Sequence, residues 1–323
     1  MTCRCLAVAG LLGAVLALLP ISAAAQTEDV PRTAWGAPDL GGVWDYRSAT
    51  PMARPEEFKD KPVLTEEEAA EVAREREAWF ESLDSGESGG VAGNAIHTRV
   101  FLDFGFEPVP DRRTSLIIDP PDGRHPPAAD RAAEKRAAVA GSFGAGPFHS
   151  WEDLNLMDRC IGTIGFPIVP GPYNNNIQIF QTPDHVAILA ESMHFVRIIP
   201  LEEQPRSGLA QFGGDGRGRW EGDTLVVESM NFDGELTMIG TEPRRLVERF
   251  TREGDIIQYE FTVEDAGMWE APWTARVPLR KTDGPLFEYA CHEGNYGLVN
   301  ILSAARAEER AAAPPSGAAG VSR

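Results

Sequence analysis

The stretch RRLVERFTREGDIIQYEFTVED, residues 244–265, decides how the rest of the chain is read. Ile257, Tyr259, Phe261 and Val263 alternate with Gln258, Glu260, Thr262 and Glu264, which is the period of a strand with one buried face. Leu246, Glu248 and Phe250 share a face in the run before it. Arg252-Glu253-Gly254-Asp255 supplies the turn between them, so the stretch reads as a β-hairpin.

The same pattern extends in both directions. Arg219-Trp220, a turn at Glu221-Gly222-Asp223 and the run TLVVES form a second hairpin. Ile177, Ile179 and Gln181 alternate with Gln178 and Phe180, and residues 186–201 form another β-rich run with a break near Ser192. RRTSLIIDPPDGR (112–124) reads as a short strand entering a turn, and WTARVPL and GPLFEYAC add two more strands. Many short strands separated by turns indicate an antiparallel sheet that closes or sandwiches. The expected fold is therefore mainly β, an antiparallel barrel or strongly curved sheet, with N-terminal helical and proline-rich decoration.

Helices are expected at three places. Thr65-Glu66-Glu67-Glu68 fits a capping box, followed by Ala69, Val72, Ala73, Trp79, Phe80 and Leu83 on one face. Residues 128–140 are rich in Ala and charge, and 298–309 form a terminal helix before a disordered tail at 311–323. The chain divides into 1–25, 26–150 with the first strands, 151–310 as the β core with its terminal helix, and the tail.

Residues 1–25 have one positive charge at Arg4, an apolar run from Leu6 to Ile21, and Ala23-Ala24-Ala25, the pattern of a signal peptide. The expected location is periplasmic or secreted. The formal charge of −19, with no long Lys/Arg run, argues against nucleic acid or anionic lipid as a partner, and no stable membrane anchor is expected. Cys160 and Cys291 are the cysteines that remain after the leader, and in an oxidising compartment a disulfide between them is the default, with a free thiol as the rival.

Five polar groups cluster in LFEYACHEGNYG (286–297): Cys291, His292, Glu293, Asn295 and Tyr296. They read either as the wall of a site or as a disulfide anchor with polar neighbours. PGPYNNN (170–176) holds Tyr173, Asn174 and Asn176 beside backbone-restricting prolines, suited to fixing a ligand or to closing a turn. Glu248 should face inward between Leu246 and Phe250, paired with Arg217, Arg219 or Arg276. Glu191 and His194 are three apart, a helical metal spacing in a β context that puts them on opposite faces, so no metal site is expected. His194 is a candidate proton carrier or an ordinary polar residue. Arg219 is a candidate holder of a carboxylate or phenolate.

Nucleophile-elbow, Walker, dinucleotide, zinc-protease and haem-attachment motifs are absent from the sequence, and no cofactor is expected. The first functional expectation is an acid/base enzyme (lyase, isomerase, decarboxylase or hydrolase) acting on a small, partly apolar, possibly aromatic molecule. His292 or His194 would move the proton, Glu293 or Glu248 would assist, and Tyr173, Asn174 and Arg219 would hold the developing anion, with Asn176, Asn295 and Tyr296 as further substrate contacts. The alternatives are a periplasmic small-molecule carrier without turnover, or an envelope interaction protein.

Gly42-Val43-Trp44 before an extended segment resembles the opening of a lipocalin-type barrel. The strings PDLGGVW, RTSLIIDPPDGR, PGPYNNNIQI, GRWEGDTLVVE, VERFT and EYACHEGNYG together resemble a large group of exported, mostly uncharacterised bacterial proteins. That resemblance spans nearly the whole mature chain. It implies a single exported unit and brings no activity with it.

Overall fold

Among the described residues, ten strands form where alternation is strongest: β1 Gly42–Asp45, β2 Ile117–Asp119, β3 Asn176–Gln181, β4 His185–Ala190, β5 Val196–Pro200, β6 Asp215–Glu221, β7 Thr224–Met230, β8 Arg245–Glu253, β9 Ile256–Glu264 and β10 Trp273–Thr282. Two long helices accompany them among the described residues, α1 Glu66–Ser85 and α2 Tyr296–Ala312. The computed structural model describes residues 30–85, 102–103, 105–134, 140–144, 146–162, 166–201, 205–211, 213–232 and 245–312. Residues 1–29 and 313–323, where the leader and the tail are expected, lie outside the described residues.

All ladders between these strands are antiparallel, in the order β5-β4-β3-β1-β10-β9-β8-β7-β6, with β2 added beside β10. The sheet curls into a nearly closed barrel, as the alternation indicates. Two meanders make it up, β3 to β5 and β6 to β10, and β1 joins them by pairing with β3 on one side and β10 on the other. The N-terminal part of the chain thus contributes a strand to the barrel wall.

The free rims are β5 and β6. Eight antiparallel pairings separate them, so they run in the same direction. Side chains rather than a ladder meet across this seam. A Cβ at Gly218 would lie 2.7 Å from Leu201 Cδ2 and 3.0 Å from Ile199 Cγ2, so the bare backbone of β6 is what admits the side chains of β5 and the residue after it.

The inward rows fill the barrel. Trp44, Ile177, Ile188, Phe250, Tyr259, Phe261 and Val277 belong to one buried cluster. Turn chemistry matches the hairpins: Glu221 pairs with Thr224 across a two-residue loop, and Gly222 takes the left-handed φ of +61° there. The capping box at α1 also forms, with Glu68 N donating to Thr65 Oγ1 at 3.2 Å and Thr65 N donating to Glu68 Oε2 at 2.8 Å.

Three expectations change. GPLFEYAC is not a strand; residues 283–290 form no ladder and run outside the barrel wall. The helix expected over 128–140 is seen only at 132–134, and residues 135–139 lie outside the described residues. On α1, Phe80 is buried and Ala69, Val72 and Ala73 are half-buried, while Trp79, expected on the same face, stays 41 % exposed.

Candidate functional site

Two polar constellations stand out, one inside the barrel and one against its outer wall. Inside, Glu248 is fully buried on β8, in the row of Leu246 and Phe250. Its partner is Arg197 of β5, not Arg217, Arg219 or Arg276. Arg197 Nη1 and Nη2 donate to Glu248 Oε1 and Oε2, Nη2 also reaches Ser229 Oγ at 2.8 Å, and Tyr259 Oη donates to Glu248 Oε1 at 2.8 Å. Ile168 N donates to Tyr259 Oη, and the Arg197 guanidinium lies 4.0 Å from the Phe166 ring centre. Burial, then the charge of Glu248, pushes the Tyr259 phenol well above its ordinary range. Every charge here is matched and enclosed, which makes this a structural strut of the core.

The partners assumed from sequence are engaged elsewhere. Arg217 bonds Asp215, Arg219 bonds Glu221 on the exposed hairpin, and Arg276 bonds Glu260. Arg197 escaped notice because VRIIP gives no sign that its strand faces Glu248 across the interior.

The second constellation is a cleft of about 960 Å³ against the outside of the wall. Asn176 enters it from the outward row of β3, Glu191 from just beyond β4, and Thr282 from the end of β10. Residues 283–291 form the facing side, through Phe287, Glu288, Tyr289 and Cys291 among others. The 157–160 loop and Tyr173-Asn174 complete it.

Three devices hold the facing side in place. Cys160 and Cys291 are disulfide-bonded, with their Cα atoms 5.7 Å apart. Asn295 accepts from Leu298 N at the start of α2 and donates to Asp158 O at 2.8 Å, tying the helix to the 151–160 loop. Glu191 Oε1 accepts from Phe287 N at 2.9 Å, while its Oε2 accepts from Asn176 Nδ2 at 2.9 Å.

Glu191 is only 4 % exposed, yet it lines the cleft. The Tyr173 and Tyr289 rings, which line the same cleft, stack with centres 5.8 Å apart and planes 11° from parallel. Burial, then the Tyr173 hydroxyl, raises the Tyr289 phenol above its usual range. Below them, Tyr46 Oη donates to Asn174 O at 3.0 Å, and burial followed by the charges of Glu191 and Asp45 raises that phenol too. Arg47 lines the cleft but is held by Asp45 at 2.7 Å and Asp103 at 2.5 Å. Those carboxylates, Asp45 first, raise the guanidinium further.

The cleft thus gathers Tyr173, Asn174, Asn176, Asn295, Cys160 and Cys291 from the sequence candidates. It does not gather the others. His292 and Glu293 form an exposed turn and are not among its lining residues, and Tyr296 is 74 % exposed. His194 is exposed as well. The chain kinks through positive φ at Met193 and His194, which leaves Glu191 buried and turns the histidine outward. Glu248 and Arg219 lie elsewhere in the barrel.

Among the lining residues that the sequence candidates omit are Glu191, Tyr289, Arg47, Asp103, Asp158 and Glu288. Tyr289 had a signal, since it shares an alternating row with Phe287 and Cys291, but that row was read as a strand face. Among the described residues, no group of three or more His, Cys, Asp or Glu is placed to hold a metal ion, and no helix is long and apolar enough to cross a membrane. No protein-family model matches this chain, and no curated protein matches it.

Proposed function

We propose that this is an exported small-molecule binding protein and that the cleft between the barrel wall and residues 283–295 is its ligand site. The carrying observation is the cleft itself. Its volume of about 960 Å³ suits a small organic ligand, and a disulfide, a helix cap and a buried carboxylate fix its walls. Among the described residues the barrel interior is filled by side chains, and the outer cleft is larger than the pocket of about 400 Å³ around Arg113 and Arg276. Export is supported by the signal-like residues 1–25 and by the disulfide, which persists in oxidising compartments.

Binding is favoured over acid/base turnover by the make-up of the lining. Proton transfer needs paired titratable groups in hydrogen-bond reach of one another. Glu191 instead meets an amide side chain and a backbone N–H, the paired phenols of the cleft are Tyr173 and Tyr289, the latter raised above its usual range by burial, and neither His292 nor His194 lines the cleft.

The test is thermal-shift screening of the oxidised protein against small phenyl-bearing compounds, followed by calorimetry of the hits and chromatography of the incubated mixtures. Hits should raise the melting temperature and lose affinity in Tyr289→Ala and Asn174→Ala. Hits unaffected by both substitutions would place the ligand elsewhere, and a hit converted to product would restore the enzyme reading.

A further inference from the structure

We propose that the ligand of this cleft is an organic cation, an aryl-alkyl amine or ammonium whose charge sits at Glu191 and whose ring lies against Tyr289 and Tyr173. The inference rests on the cleft being the ligand site and adds the chemistry of what it takes.

Charge is the first ground. The lining holds four carboxylates, Asp103, Asp158, Glu191 and Glu288, against the single cation Arg47. Arg47 is already bound by Asp45 and Asp103. Asp158 is occupied by Ser142 N, Ser142 Oγ and Asn155 N. Among the described residues, neither Glu191 nor Glu288 makes an ion pair. An anionic ligand would meet this excess of negative charge, whereas a cation would neutralise it.

Burial is the second ground. Glu191 is 4 % exposed, and its two hydrogen bonds come from neutral donors, one to each oxygen. A carboxylate has acceptor capacity for about four bonds, so each oxygen can still take a donor. Enclosing a carboxylate without a counter-charge is costly, and a cation entering the cleft would offset that cost.

The aromatic pair is the third. A tyrosine face attracts a cation through its negative potential and also stacks with an aryl group. Phe287 N is bonded to Glu191, and Tyr289 is two residues further, so at most about 7 Å separates the carboxylate's anchor from the backbone of Tyr289, which carries the ring. One small molecule spans both.

Calorimetry with three matched probes tests the proposal: 2-phenylethylamine, 2-phenylethanol and 3-phenylpropanoate. The amine should bind about tenfold or more tighter than the alcohol, and the carboxylate most weakly of the three. Glu191→Gln should remove most of the amine's advantage over the alcohol, read as the ratio of the two affinities in the same variant. Glu288→Gln, at an exposed side chain, gives a smaller loss of amine affinity and covers the case in which Glu191→Gln disturbs the fold. An alcohol or carboxylate that binds as tightly as the amine overturns the cation assignment and leaves the ligand site standing. If none of the three binds, the site and the assignment fall together.

Discussion

Arg197 Nη1 and Nη2 hold Glu248 Oε1 and Oε2 at 3.0 and 2.6 Å, a bidentate pair joining β5 to β8 through the interior. The two side chains are 4 % and 0 % exposed. Since no ladder links β5 to β6, this pair is a principal tie across the seam.

Breaking one side of it leaves a buried charge without its partner. Glu248→Gln should cost roughly 3–5 kcal/mol of unfolding free energy. The double change Arg197→Met with Glu248→Leu should cost less than Glu248→Gln alone, because it removes both charges. Urea denaturation of the three proteins measures this. A Glu248→Gln protein within about 1 kcal/mol of the parent would mean that the pair is not a strut.

The buried phenols set a limit at alkaline pH. Burial holds Tyr259 and Tyr46 above the ordinary phenol range, with Glu248 adding to the first and Glu191 and Asp45 to the second. A folded pKa raised above the unfolded value, about 10, gives stability that is complete below that pH and lost as pH rises past it. Absorbance titration should therefore show these tyrosinates forming together with unfolding, followed in parallel by circular dichroism. Ionisation of both with the fold intact would contradict the burial argument.

The disulfide spans 131 residues, and loop-closure reasoning gives it about 5 kcal/mol at most. Its effect should be local to the cleft. In Cys160→Ser/Cys291→Ser, hydrogen exchange should quicken over 283–312, while the amides of β7, β8 and β9 keep their protection, and cleft ligands should bind more weakly. Equal loss of protection in the barrel would show that the bond supports the whole fold.

The barrel was legible because its strands alternate strictly. Ile257 to Val263 could face only one way, and Gly222 and Gly254 marked the turns. Glu248 was readable as inward by the same rule, but its partner was not, since pairing across a closed interior leaves no mark on local spacing. The cleft was half legible. Cys160, Cys291, Tyr173 and Asn174 were brought together by the disulfide and by the short chain between 160 and 173. His292 was misplaced because adjacency to Cys291 says nothing about which way a turn points its side chain. Glu191 was seen only with His194, and the positive φ at Met193 that separates them is carried by a residue type that rarely adopts it.

The position of β1 also governs how the chain can fold. Within each meander, every pairing joins strands that follow one another, so contacts there are local and closing each hairpin costs little entropy. β1 is different. Its four residues must find β3 on one side and β10 near the far end of the chain on the other. The long-range pairing of the barrel rests on that short strand and on β2, which also joins β10. Trp44, wholly buried on β1, sits at the point where two locally assembled halves become one molecule.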